Sequence, residues 1–239
     1  MIKQRMIAAF AVVAALVLGA QDAAHAGGKK KEARFTVRIE NISSGTGLPT
    51  VGDATYPFAL SPGMYVVTNK KMSFFKVGKK ASSGLEAQAE DGNPETLSKS
   101  LLTKVGSLYM GVFNTPEGAE APGPLLPGGS YEFSFTASEG MKLNLIAMFG
   151  QSNDLFYSPA SAIELFKGGE PVSADITDLL MLWDAGTEVN QAPGVGDQQA
   201  PRQAGPNIGM AENGKVSTVM DSFVYPKTRE VLKVTISAG

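Results

Sequence analysis

The chain has 239 residues, no cysteine and a single histidine at position 25; its formal net charge is −2, with 43% hydrophobic and 18% charged residues. This composition is globular, and the length suits one domain or two small ones. Zero cysteine excludes a disulfide framework, a cysteine nucleophile, a thiolate metal site and a lipid-modified N-terminal cysteine.

Residues 1–26 read as a signal peptide. Lys3 and Arg5 precede an apolar run from Met6 to Ala20, and Ala24-His25-Ala26 offers a small-x-small cleavage site. The run is shorter than the roughly 20 residues of a membrane span, so a cleaved signal is expected rather than an uncleaved anchor. Cleavage after Ala26 leaves 213 residues, 19 of them basic and 22 acidic, and removes His25. A working chain without Cys or His has no Ser-His-Asp triad, no Cys-His dyad and none of the usual zinc sites. Any metal must be held by oxygen, which points to calcium or magnesium, and acid–base work falls to carboxylates, lysine or tyrosine. The expected location is secreted or periplasmic, with no integral membrane segment after cleavage.

Residues 27–33, which include Lys29, Lys30 and Lys31, are expected to be a disordered basic leader. Phe35, Val37 and Ile39 then alternate with Thr36, Arg38 and Glu40, the period of a half-buried strand. Met64–Val67 and Phe74–Phe75 are short strand-like apolar runs. Residues 84–104 carry leucine and alanine among polar residues and predict a short helical insertion, broken at Asp91-Gly92-Asn93-Pro94. Strand character returns at Leu108–Phe113. After a Pro/Gly-rich loop come the alternating Tyr131–Thr136 and the nearly continuous apolar run Leu143–Phe149. Ile163–Phe166 and Asp175–Trp183 follow, then a long segment from Asp184 to Gly214 rich in Gly, Pro, Gln and Asn, and finally Val216–Val224 and Val231–Ile236. A segment that long without regular structure is usually functional or disordered. Eight or nine short strands with turn punctuation and no βαβ rhythm predict an all-β chain, an antiparallel β-sandwich.

Oxygen-rich loops are the candidate sites. Ser152-Asn153-Asp154 follows one apolar strand and Asp184-Ala185-Gly186-Thr187-Glu188-Val189-Asn190 follows another, so Asp154 and Asp184 can meet at one end of a sandwich. Calcium takes six to eight oxygens from carboxylates, amides and backbone carbonyls, which such turns supply. The same residues also serve ordinary turns by capping their own backbone, and for Asp91 a turn or helix end is the stronger reading. A glycosidase pair formed by Asp154 and Asp184 is a further alternative, with only one tryptophan in the chain to line a sugar cleft. Asn41-Ile42-Ser43 fits a glycosylation acceptor, a triplet common by chance. Basic residues do not interleave with aromatics, so nucleic acid has no support.

Three segments, Ala89-Glu90-Asp91-Gly92-Asn93-Pro94, Ser152-Asn153-Asp154-Leu155-Phe156-Tyr157 and Trp183-Asp184-Ala185-Gly186-Thr187-Glu188, together resemble the spondin N-terminal domain family. So do Gln199–Asn207 and, as the family's closing strand, Ser222-Phe223-Val224-Tyr225-Pro226. The resemblance spans roughly Phe35 to Ile236 and implies a C2-like sandwich over residues 34–239, of a kind found in extracellular matrix and adhesion proteins. It implies a divalent-metal site, commonly calcium, at Asp154 and Asp184. A third carboxylate lies in the family on the strand before the first loop, and Glu132 is the nearest match here. Animal members carry cysteines and neighbouring modules; this chain has no cysteine, so their partners, integrins among them, are not transferred. The expectation is a non-enzymatic binding module whose loop residues Ser152, Asn153, Glu188, Asn190 and Arg202 face a protein or an envelope or matrix component. The calcium ion orders the Asp184–Gly214 segment in this reading. A metal-free structural protein is the alternative.

Overall fold

In the computed structural model the described residues are 30–102 and 109–239. The expected signal peptide and the start of the basic leader lie outside them. Eight principal strands, β1 (Glu32–Asn41), β2 (Leu60–Thr68), β3 (Tyr109–Phe113), β4 (Ser130–Ser138), β5 (Lys142–Phe149), β6 (Leu155–Pro159), β7 (Leu180–Asp184) and β8 (Leu232–Ala238), form two packed antiparallel sheets. One sheet runs β8-β1-β4, edged by Ala174–Asp175; the other runs β7-β6-β5-β2-β3, edged by Ser217–Thr218 beyond β7. This is the expected antiparallel β-sandwich.

The period-two pattern explains the core. Phe35, Val37 and Ile39 of β1 face Phe133 and Phe135 of β4 and Val234 and Ile236 of β8 on the inner side of the smaller sheet. Leu143, Leu145, Ala147 and Phe149 of β5 meet them from the larger sheet. The intervening β5 residues point to the opposite face, where a second core forms. There Met64, Val66, Ile146, Phe156 and Trp183 are covered by Leu85, Ala89, Leu97 and Leu101. Those four residues belong to α1 (Ser83–Asp91) and α2 (Glu95–Leu102), the expected helical insertion. Being covered on both faces is why β5 reads as a continuous apolar run rather than an alternating one. The break between the helices is chemical: Gly92 adopts φ 62° as the left-handed cap of α1, and Asn93 Oδ1 accepts the Glu95 N–H that opens α2.

Several expected boundaries move. The basic leader ends earlier than residue 33, because Glu32 and Ala33 already pair with Ser138 and Ala137 of β4. Phe74–Phe75 is not a strand: the segment crosses the outer face of the larger sheet, Phe75 packing edge-on to Phe156 and 5.0 Å from Trp183. Only Ser217–Thr218 of the expected 216–224 strand pairs, so Ser222–Pro226 is not a closing strand; β8 closes the fold. Asn41, of the glycosylation-like triplet, is internal. Its Nδ2 donates to the carbonyls of Phe58 and Leu125, and its Oδ1 accepts from Ser43, so it is bound within the protein.

Gly63 marks the tightest point of the larger sheet, beside a register shift in the β2–β5 pairing. A Cβ there would lie 2.2 Å from the Ile146 carbonyl oxygen and 2.5 Å from the Phe113 ring. Gly63→Ala therefore forces apart β2, β3 and β5. We expect it to destabilise the chain by about 3 kcal/mol, the upper range for overpacking, read as a lower urea midpoint at unchanged slope.

Candidate metal centre

The site lies where β5 ends, β6 begins and β7 ends. Asp184 pairs with Leu155 in the β6–β7 register, so the residue just before β6, Asp154, stands beside the end of β7. A turn holds the approach: Ser152 Oγ donates to the Phe149 carbonyl at 2.6 Å and accepts from Leu155 N–H at 3.1 Å. Beyond Asp184 the chain turns at Gly186, whose φ of 68° suits glycine, and a Cβ there would lie 2.5 Å from the Lys215 nitrogen. That close approach lets the return strand pair: Gly214 N–H donates to the Gly186 carbonyl at 2.7 Å and Glu212 N–H to the Thr187 carbonyl at 2.9 Å. The ladder carries Glu212 back to Asp184. Carboxylate oxygens of Asp154, Asp184 and Glu212 all lie within 4.8 Å of one another.

The three carboxylates are held unequally. Asp154 has no exposed surface. Its Oδ2 accepts from the N–H groups of Thr187 (2.7 Å) and Glu188 (3.1 Å) and from the Thr187 hydroxyl (3.1 Å). Its Oδ1 is buried with no donor at all. Asp184 is also buried, accepting from Gly186 N–H at 2.7 Å and from Asn190 Nδ2 at 2.8 Å, while Asn190 Oδ1 is a second buried acceptor without a donor. Glu212 is exposed. Among the described residues, no lysine or arginine lies within ion-pair distance of any of the three. Burial, and then the charge of Asp184, pushes the Asp154 carboxyl up to about 7 against the pull of its N–H donors. Burial raises Asp184 and Glu212 as well. Oxygen donors, excess negative charge and missing N–H partners form an arrangement that a hard cation would complete.

A second acidic group lies behind the first. Glu90 of α1 is buried and raised to about 7 by burial, with like charge from Glu188, Glu86 and Asp154 adding to it and the Thr187 hydroxyl opposing it. Glu188 is buried too, accepting from Gly209 N–H at 2.8 Å. Asp91 ends α1, as expected of a helix-end residue, and accepts from Gln203 Nε2 at 2.8 Å, anchoring the long segment to the helix.

Of the expected site residues, the structure brings Asp154 and Asp184 together but not Glu132. Glu132 lies on β4 of the other sheet, opposite Arg38 in the β1–β4 register, with its carboxylate 3.5 Å from that guanidinium. The carboxylate that does lie beside them is Glu212, which sequence reasoning missed because only the return ladder of the long segment brings it near. Ser152, Asn153 and Glu188 are buried, so they brace the loops from inside rather than face a partner. Asn190 holds Asp184. Arg202 donates to the Gly196 carbonyl and, at 2.9 Å, to Gln151 Oε1, and it also bonds Gln199. Buried Gln199 in turn donates to the carbonyls of Gln191 and Ala192. The segment from 184 to 214 is thus held by amide and guanidinium hydrogen bonds. Within that frame the side-chain oxygens left without a donor include Asp154 Oδ1, Asn190 Oδ1 and Gln203 Oε1. No protein-family model matches the chain, nor does any curated protein. Among the described residues, no helix is long and apolar enough to cross a membrane.

The raised carboxylates make a prediction for the metal-free protein. Folded Asp154 holds its proton more tightly than the unfolded chain, where the group titrates near pH 4. Its contribution to stability is therefore complete below about pH 4 and is lost as the pH rises through about 7; Glu90 acts in the same direction. In chelator, the melting temperature should fall from pH 5 to pH 8. Asp154→Asn keeps an acceptor for Thr187 and Glu188 and removes a buried charge. At pH 8 in chelator it should raise the melting temperature by at least about 2–4 °C, the shift 1 kcal/mol produces in a chain of this size.

Proposed function

We propose that this chain is an exported, non-enzymatic binding module of spondin type whose loop end holds one divalent cation, calcium in preference to magnesium. The observation that carries the reading is the buried Asp154 Oδ1, an acceptor without a donor in a group with Asp184 and Glu212. An unpaired buried carboxylate oxygen is expensive, and a bound cation removes that penalty directly. Calcium fits better than magnesium because the donors are irregularly placed and drawn from several segments; Asn190 Oδ1 is a further candidate oxygen. The resemblance of the Ser152–Tyr157 and Trp183–Glu188 segments to spondin N-terminal domains supports the same reading, since those two segments supply Asp154 and Asp184. A protein or an envelope or matrix component is the proposed partner, met by the exposed parts of the 184–214 segment.

The metal-free reading has one observation in its favour: Asp154 Oδ2 and both oxygens of Asp184 already accept hydrogen bonds. A glycosidase pair is disfavoured by the burial of Asp154, since a carboxyl with no exposed surface cannot touch a glycan. Calorimetric and thermal-shift titration of the purified chain separates the first two readings. Calcium at a hundredfold excess over its Kd should raise the melting temperature by about 5–10 °C, from about 2.7 kcal/mol of linkage. The rise should vanish in the Asp154→Ala, Asp184→Ala double variant, weaken about tenfold in affinity in Glu212→Gln, and persist in Glu132→Gln. No stabilisation at millimolar calcium, or a rise that survives the double variant, supports the metal-free protein.

A further inference from the structure

At the opposite end of the larger sheet lies a hollow of the reverse charge. β2 and β5 are antiparallel, with Leu60 opposite Phe149 near the acidic loops and Thr68 opposite Lys142 at the far end. The two ends are separated by about 23 Å of strand, at roughly 3.3 Å per residue. Past Thr68 the chain carries Lys70, Lys71 and Lys76 before it reaches Val216, whose N–H donates to the Lys79 carbonyl beside the Asp184–Ser217 pair, and no acidic residue occurs between Asp53 and Glu86. In a chain of net charge −2 these three lysines and Lys142 give the far end a positive character.

Lys70, Lys71 and Lys76 line an open hollow of about 720 Å³ together with Lys142, Asn144 and Leu101. Its size falls within the roughly 300–1,000 Å³ typical of small-molecule sites. Lys142 is shared with Glu164, whose carboxylate lies at 2.6 Å. Among the described residues, Lys71 and Lys76 have no carboxylate within ion-pair distance. The independent observation is Asn144. It is the one polar residue in the apolar stretch of β5, only 5% exposed, and lies on the helix-covered face beside Leu101. Its Nδ2 is buried without an acceptor. A strand facing the second core would ordinarily place valine or leucine at this position, and a buried amide N–H without a partner is destabilising. A donor left open at the wall of a lysine-lined hollow is satisfied by an anionic oxygen.

The geometry points to an oxyanion site here, taking a ligand that bears a phosphate group, with Lys71 and Lys76 supplying charge and Asn144 Nδ2 donating to a phosphate oxygen. Phosphate suits the site better than a carboxylate because lysines act as separate point charges around it, and a dianion engages more than one. The site is independent of the acidic end and of any cation there.

The test uses the purified chain at low ionic strength, since screening weakens exposed lysines. Inorganic phosphate and glycerol phosphate are titrated by calorimetry. Vesicles of phosphatidylglycerol, with phosphatidylcholine vesicles as the control, are tested by co-sedimentation. Saturable binding of the free phosphates is expected, weakened at least tenfold by Lys71→Ala with Lys76→Ala and by Asn144→Asp, and unchanged in Glu132→Gln on the other sheet. Binding to phosphatidylglycerol vesicles that the lysine variants abolish would identify the phosphate as a lipid headgroup; binding of the soluble phosphates alone would identify a soluble ligand. The lysines are exposed, so the double lysine variant should fold even if the Asn144 variant does not. The proposal is overturned if no probe binds saturably, or if the double lysine variant binds as the parent does.

Discussion

The loop end of the molecule is organised around one buried carboxylate. Asp154 has a satisfied oxygen and an orphaned one. The satisfied oxygen ties the start of β6 to the backbone of residues 187 and 188, and thereby fixes where the chain leaves β7. Everything beyond follows from that anchor. Gly186 turns, residues 212 and 214 pair back, and Glu212 arrives beside Asp184. A buried charge is tolerated when its partners are present, and here half of them are. The orphaned oxygen, in a group of three carboxylates within 4.8 Å of one another, is the feature that a cation would complete.

The scaffold makes such an arrangement durable. β5 is buried on both faces, between the smaller sheet and the helix pair, so its two ends are rigid mounting points. One end carries the acidic loops, and the other the hollow of Lys70, Lys71 and Asn144. The long segment after β7 is braced chiefly by amides, with Gln191, Gln199, Asn153 and Arg202 exchanging bonds with carbonyls and with one another. Such bracing is indifferent to pH, whereas the carboxylates are not. The carboxylates of Asp154, Glu188 and Asp91 add their own anchors to this frame, through Thr187, Gly209 and Gln203, so the segment's hold depends in part on their protonation.

Much of this was legible in the residues and some was not. The alternation of Phe35, Val37 and Ile39, and the breaks at Gly92 and Pro94, announced strands and helices by their own periods and turn chemistry. Asp154 and Asp184 were legible because each directly adjoins an apolar strand, so strand pairing brings them together. Glu212 was not: its nearness to Asp184 depends on a ladder closed across some twenty-five residues of irregular chain, and no local pattern encodes that return. Glu132 illustrates the converse error. A carboxylate on a strand looks available, but the register sets it opposite Arg38 on a different sheet. Phe74 and Phe75 looked like a strand because apolar pairs are needed wherever chain crosses a hydrophobic face, whether or not it is paired. Ser152, Asn153 and Glu188 looked like a contact surface because polar loop residues usually are; burial turned them into internal struts.

Whether a cation completes the Asp154 group can be seen by diffraction. Crystals grown with calcium and measured at long wavelength would show the ion by its anomalous signal. A single peak is expected at about 2.3–2.6 Å from Asp154 Oδ1, Asp184 and Glu212, the range of calcium–oxygen bonds. A map without that peak at saturating calcium, with Asp154 Oδ1 bonded instead to an ordered water or a protein donor, would contradict it.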